Sequence, residues 1–467
     1  MKGSLCLLAG IGLFTALVAT SPATAPELSR RAAEEQLIPS KIIDGAQLEG
    51  TLGGVFSDVT EVSAVASAII GVVQAIVPSP APTSIVDAIS KVASIYATHP
   101  TDFVESALAL VLNGLTPGSI ANLALAQSSE ENSSNNNNLI NPTTTIYPKK
   151  APDDAPYSIS ESVLRGAINI PSGFTYGNVT PVILIPGTGA TGGMNFIPNF
   201  GKKFAGSSYA DPVYLNIPDA QLNDIQLNSE FVAYAINYIS AISGDKKVAL
   251  LSWSQGSLDG QWAFTYWPST RAVVADFITI SGDLDGTVLA YLACPNFPQL
   301  PCPPSIYQQE YNSNFVKTLR NAGGDSAYVP TTSVYSAFDQ IVLPQSDSNA
   351  SAFVLDARNV GVSNTELQNA CTIAQPGGTL YAHEGVLYNA LAFALAKDAL
   401  THDGPGLLSR IDVVAECQKI ATDGLSVLDV VATEALIPVF VLRVLTYASK
   451  IFTEPTIKDY ARKDIPA

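Results

Sequence analysis

Lys247-Val248-Ala249-Leu250-Leu251-Ser252-Trp253-Ser254-Gln255-Gly256 carries the most structural information of any segment in the chain. Lys247 to Leu251 is an apolar run of strand length. Ser252 to Gly256 is small and turn-compatible. Leu258, Trp262, Ala263 and Tyr266 then fall on one face of a helix. The order is strand, tight turn, helix. Pro181-Val182-Ile183-Leu184-Ile185, Phe277-Ile278-Thr279-Ile280 and Ser333-Val334-Tyr335-Ser336 read as further buried strands. Continuous apolar strands alternating with helices predict an α/β fold, a mostly parallel sheet with helices on both faces. Ligands in such sheets sit at the strand C-terminal ends.

Ser254 is the reactive residue expected there. A G-x-S-x-G elbow holds a serine in a strained turn above the sheet, and small flanking residues let strand and helix approach. Here Ser252 stands in place of the first Gly. A serine hydroxyl needs a general base, and the chain has three His. His99 precedes a polar segment, His402 sits in the turn Thr401-His402-Asp403-Gly404, and His383 lies in a Gly-flanked loop. The chain order Ser, acid, His favours His383, with His402 the runner-up. The acid that orients it follows a strand. Asp339 leads, ahead of Asp283 and Asp285, and Glu384 is too close in sequence to reach the imidazole. An oxyanion needs preorganised N–H donors. Gln255 offers one, and Thr188 in Pro186-Gly187-Thr188-Gly189 offers another. A phosphate loop is the competing reading of that glycine-rich turn, but neither G-x-x-x-x-G-K-[ST] nor G-x-G-x-x-G is present.

The 467 residues carry 24 Lys+Arg against 41 Asp+Glu, a net charge of −17. So acidic a chain is a poor partner for nucleic acid or an anionic membrane. Few His and Cys disfavour metal chemistry. Residues 1–25 read as a signal peptide cleaved after Ala25, the alternative being a membrane anchor. Arg30-Arg31 is a second candidate processing site. A secreted, extracellular chain follows, with disulfides permitted. Asn132, Asn178 and Asn349 head N-glycosylation sequons. Residues 26–127 predict a helical extension or pro-segment, with helices over about 62–76, 84–96 and 101–113. Residues 128–150 read as an exposed Ser/Asn-rich linker, and 151–467 as the catalytic domain. Val427 to Leu445 forms an apolar helical stretch bent by Pro438.

These residues together resemble the Candida antarctica lipase B type of fungal lipase. The match rests on Ser252-Trp253-Ser254-Gln255-Gly256 with Gln261-Trp262, and on Pro186-Gly187-Thr188-Gly189. Gly286-Thr287-Val288-Leu289-Ala290, Leu319-Arg320-Asn321-Ala322-Gly323-Gly324 and Tyr335-Ser336-Ala337 before Asp339 extend it. The resemblance implies an α/β-hydrolase fold, no metal or other cofactor, and a monomer acting on an ester or lipid substrate at a lipid–water interface. It implies Ser254 as nucleophile, Asp339 as acid, His383 as base, and Thr188 and Gln255 as oxyanion donors. Trp253, Asp283, Gln309 and Ile341 become pocket residues. Cys6 leaves with the leader, so four Cys allow three pairings. Cys294–Cys302 closes a Pro-rich rim loop, and Cys371–Cys417 has a spacing that resembles the family's. The extension is a departure from the compact members. The expected activity is that of a secreted serine lipase or carboxylesterase working through an acyl-enzyme. A binding protein on a decayed hydrolase fold and an acyltransferase are the alternatives.

Overall fold

The computed structural model describes residues 38–58, 62–98, 102–117, 130–294 and 300–466. The signal-peptide reading, Arg30-Arg31 and His99 lie outside them.

Strands β1 (Ile168–Asn169), β2 (Pro181–Ile185), β3 (Asp211–Leu215), β4 (Val248–Trp253), β5 (Val274–Ile280), β6 (Thr331–Tyr335) and β7 (Val362–Glu366) form one sheet. Its order is β1-β3-β2-β4-β5-β6-β7. β1 runs antiparallel to β3 and every other pairing is parallel. β2 is buried at every position and pairs with β4, placing the Pro186 turn beside Ser254. Three strands escaped the hydrophobic pattern, β1 because it spans two residues only. β3 contains Asp211 and Pro212, and β7 is the polar run Val-Ser-Asn-Thr-Glu at a sheet edge. An edge strand is half exposed, so its sequence need not be apolar.

Helices α1 (Gly45–Asp58), α2 (Val62–Ala75), α3 (Ile85–Thr98) and α4 (Phe103–Leu112) form the N-terminal extension. In the catalytic region lie α5 (Ile225–Ile242), α6 (Gly256–Tyr266), α7 (Ala390–Thr401), α8 (Val427–Glu434) and α9 (Leu436–Thr446). The predicted C-terminal helix is thus two, divided at Ala435. Pro438 falls in the first turn of α9, where its missing N–H costs nothing. Asp102 caps α4 through the Glu105 N–H, at 2.8 Å. All of α4 but Glu105 is buried, so it is covered on every side. It packs against α9, and the extension's Leu52, Ile69 and Leu108 share one apolar core with Leu184, Trp253 and Ile437. Among the described residues no helix is long and apolar enough to cross a membrane.

Residues 130–150, read from the sequence as part of an exposed linker, are largely exposed and form a strap hydrogen-bonded to the sheet region. Asn136 and Asn138 donate to the Gly166, Arg165 and Ile168 carbonyls, and Asn216 donates to those of Glu131 and Ser133. The polar side chains that read as linker composition are hydrogen-bond donors to backbone. The Asn132 sequon is corrected on the same ground. Its side chain is buried, and its oxygen accepts from Thr191 and from the Met194 N–H. Asn178 and Asn349 are exposed, as a glycan requires. Both expected disulfides, Cys294–Cys302 and Cys371–Cys417, are formed.

Asp276 on β5 is 5% exposed, and its Oδ1 has no hydrogen-bond donor. Burial pushes its pKa up to about 7, against the pull of Lys247. Its folded-state pKa lies above the unfolded one, so stability is fully present below about pH 4 and is lost as pH rises through 7. Asp276→Asn should abolish that slope and gain roughly 4 kcal/mol at most near pH 8, read from denaturant unfolding at several pH values.

Candidate active site

β4 delivers its chain into α6 through Ser254, whose φ is +55°. A non-glycine residue held there stores backbone strain, which persists only where the surroundings dictate it. The surroundings are crowded. A Cβ on Gly256 would meet the Pro186 and Ile185 carbonyl oxygens at 2.6 and 2.7 Å. One on Gly187 would meet the Trp253 ring at 2.6 Å and the Ser254 Cβ at 2.9 Å. The missing first Gly is explained by Ser252, which is fully buried with its hydroxyl 2.9 Å from that of Ser257. A serine fits because α6 offers it a partner.

His383 and Asp339 meet as the sequence predicts. His383 Nδ1 lies 2.7 Å from Asp339 Oδ2, with both side chains buried. Asp339 Oδ1 accepts from the Ile341 and Val342 N–H groups, fixing the carboxylate. The His383 backbone is held from three sides. Its N–H donates to Gln340 Oε1 at 2.8 Å, and its carbonyl accepts from Ser281 Oγ at 2.9 Å and Trp253 Nε1 at 3.1 Å. His383 Nε2 is buried and makes no hydrogen bond, and His383 and Ser254 line the same cavity. His402 is elsewhere, half exposed at the end of α7 and paired with Asp398 at 3.0 Å. Asp285 is engaged by Arg320 at 3.0 Å.

Thr188, Gln255 and Gln309 form one buried cluster. Thr188 Oγ1 is 2.8 Å from Gln255 Oε1 and 3.0 Å from Gln309 Oε1, and Gln309 Nε2 donates to Gln255 Oε1 at 3.0 Å. Sequence reasoning missed what braces it. Asp219, Ala220 and Gln221 all have positive φ. That turn lets the Ala220 carbonyl accept from the Gly189 N–H at 2.9 Å and the Gln221 side chain donate to the Pro186 carbonyl. Gln255 Nε2 donates to the Gln221 carbonyl at 3.0 Å. A run of three left-handed non-glycine residues leaves no compositional signature, so nothing in the sequence pointed to it.

The cavity is about 30 Å³, where sites for drug-sized ligands run to about 300–1,000 Å³. Trp253, Gln309 and Ile341 line it, as expected. Asp283 is corrected: it does not line the cavity but lies fully buried behind the elbow, its N–H 3.3 Å from the Ser254 carbonyl. Burial above all holds its carboxyl well above the usual range. Phe103, at the start of α4, is a wall residue that the sequence did not reveal. It closes the cavity together with Ile437 and Phe440 of α9. A groove of about 1,060 Å³ elsewhere contains neither Ser254 nor His383. The small cavity holds the reactive groups, so the chemistry is assigned to it.

Fold and site define an α/β-hydrolase of the lipase/esterase class. No family model matches the chain. Lipase B of Pseudozyma antarctica is 31% identical over 313 residues, spanning 66% of this chain and 87% of that protein. The chain belongs to the lipase B family. The crystal structure of Aspergillus fumigatus lipase B is 46% identical with a TM-score of 0.80, covering 89% of this chain and 99% of that one. That coverage reaches beyond the part shared with the Pseudozyma protein.

Proposed function

We propose that this chain is a secreted serine lipase or carboxylesterase that hydrolyses carboxylic esters, acylglycerols among them, through an acyl-enzyme. One observation carries the reading. A buried imidazole, bonded through Nδ1 to a carboxylate at 2.7 Å, keeps Nε2 unpartnered in the cavity of a strained serine.

Ser254 Oγ attacks the ester carbonyl and its proton passes to His383 Nε2. Asp339 holds the tautomer with the proton on Nδ1 and stabilises the imidazolium. Negative charge collects on the former carbonyl oxygen, where the Thr188 N–H and the Gln255 N–H at the start of α6 stabilise it, with the Thr188 hydroxyl as a third donor. The C–O bond to the alcohol breaks, and the departing oxygen takes the proton from Nε2. Water then attacks the acyl-enzyme, giving its proton to Nε2, and the carboxylic acid leaves as Ser254 Oγ recovers that proton. No metal or other cofactor enters these steps. The apolar walls from Phe103, Ile341 and Phe440 suit an acyl chain.

Two disulfides and two exposed sequons support secretion. We read residues 1–25 as the leader and 151–467 as the catalytic region.

Ser254→Ala should lower kcat for a soluble ester by at least about 10⁴-fold, and Asp339→Asn by about 10⁴-fold. Near-native hydrolysis by the first variant would sink the assignment. Phe103→Ala should raise the rate on long-chain emulsified esters relative to short soluble ones. A chain-length series on both proteins checks this, and an unchanged ratio would remove Phe103 from the substrate path.

A further inference from the structure

A buried group of acids and phenols adjoins the site, and the steps above make no use of it. Glu384 and Glu434 are both fully buried. Tyr96 of α3 donates its hydroxyl to Glu384 Oε1 at 2.7 Å. Gln340 Nε2 donates to Glu384 Oε2 at 3.3 Å. Tyr388 donates to Glu434 Oε1 at 2.7 Å. Glu434 Oε2 receives no donor, and the charge of Glu384 acts on the Glu434 carboxyl.

Burial, and then the charge of Glu384, hold the Glu434 carboxyl well above the usual carboxylate range. Glu384 accepts from two donors, Tyr96 and Gln340. A carboxylate only accepts. It forces Gln340 to turn its NH₂ towards Glu384 and its oxygen towards the His383 N–H. The chain of contacts runs from Tyr96 through Glu384 and Gln340 to the catalytic loop.

The surrounding charges are otherwise engaged. On α3, Lys91 bonds the Pro80 and Asn113 carbonyls. On α8, Asp429 pairs with Lys202 at 2.6 Å. On α7, Lys397 lies over the Tyr209 ring, and Asp398 pairs with Arg410. Tyr381 donates to the Pro376 and Ile420 carbonyls, and Asp339 and His383 pair with each other.

We propose that Tyr96, Glu384 and Glu434 are positioning residues for His383, so that the helical extension is a resident part of the active site. This rests on the reading of His383 as general base. When Glu434 loses its proton, two like charges meet and the Glu384 contact to Gln340 is disrupted. Activity then falls on the alkaline side. Stability follows the same sign: the folded-state pKa of Glu434 is raised, so its contribution is full below about pH 4 and is lost as pH rises through the raised value.

The test compares full-length wild type, Tyr96→Phe, Glu434→Gln and Ser254→Ala on a soluble short-chain ester across pH, with thermal unfolding of each. Tyr96→Phe should lower kcat about tenfold with KM within about twofold. Glu434→Gln keeps the side-chain shape but has no proton to lose, so its alkaline decline should vanish. Suppose Tyr96→Phe and Glu434→Gln match wild type in kcat and pH profile while Ser254→Ala is inactive. The positioning role is then overturned and the triad reading stands. A shift in unfolding temperature alone also overturns it, since a merely structural contact would do that. An active Ser254→Ala protein removes both readings together.

Discussion

Close approach between the β4–α6 turn and the Pro186 loop is the constraint on which the site depends. Ser254 has a left-handed backbone because β4 ends one residue before it and α6 begins two residues after it. The Gly256 backbone then lies against the Ile185 and Pro186 carbonyls with no space for a side chain. The same contact brings the Thr188 loop over the elbow. A serine lifted above the sheet and the proposed oxyanion donors beside it thus arise from one packing event. Strain at Ser254 costs about 1–3 kcal/mol, and the buried β2–β4–β5 core offsets it.

That contact was legible in the sequence because it demands small residues at fixed places. Gly187, Gly189 and Gly256 stand out against an apolar strand, and three His leave little choice of base. In the extension α2, α3 and α4 were legible from their apolar period while α1 was not, and β2, β4, β5 and β6 were legible from continuous hydrophobic runs. Other parts of the molecule had no such signal. β3 is built through a proline and β7 through polar edge residues. The 130–150 strap has the composition of a linker because its Asn side chains serve backbone carbonyls in place of an apolar core. The Gln221 brace and the Phe103 wall depend on contacts between residues 34 to more than 100 positions apart. Local pattern carries no trace of such pairings.

The extension changes how the pocket is understood. α4 is apolar all round, and such a helix is stable only when every face is covered. Its cover is α9 together with α1 and α3, and Ile437 and Phe440 of α9 are themselves pocket walls. Substrate entry therefore competes with packing inside the core, and burying a side chain such as Phe103 is worth about 1.5–3 kcal/mol. An acyl chain that displaces Phe103 replaces apolar contact with apolar contact, so the opening cost falls as the chain lengthens. A short soluble ester cannot supply that compensation. On the proposed reading, a preference for long acyl chains would then follow from what covers α4, without any polar contact to the ester itself.

Charge at the site also differs from what the composition suggests. A formal charge of −17 counts every Asp and Glu as ionised. Asp259, Asp283 and Glu434 are buried, and burial is the first cause that raises each of them well above the usual carboxylate range. Each is thereby biased towards its neutral form. Asp283 lies directly behind the elbow, its N–H against the Ser254 carbonyl. A charge there would oppose negative charge developing on a bound ester oxygen in a low-dielectric site, where screening is weakest. The neutral acid fills the same space without opposing it. The formal −17 therefore overcounts the ionised acids, and the net negative charge that remains is suited to keeping the protein dispersed in water. Asp339 faces His383 through Oδ2 and is held by the Ile341 and Val342 N–H groups through Oδ1.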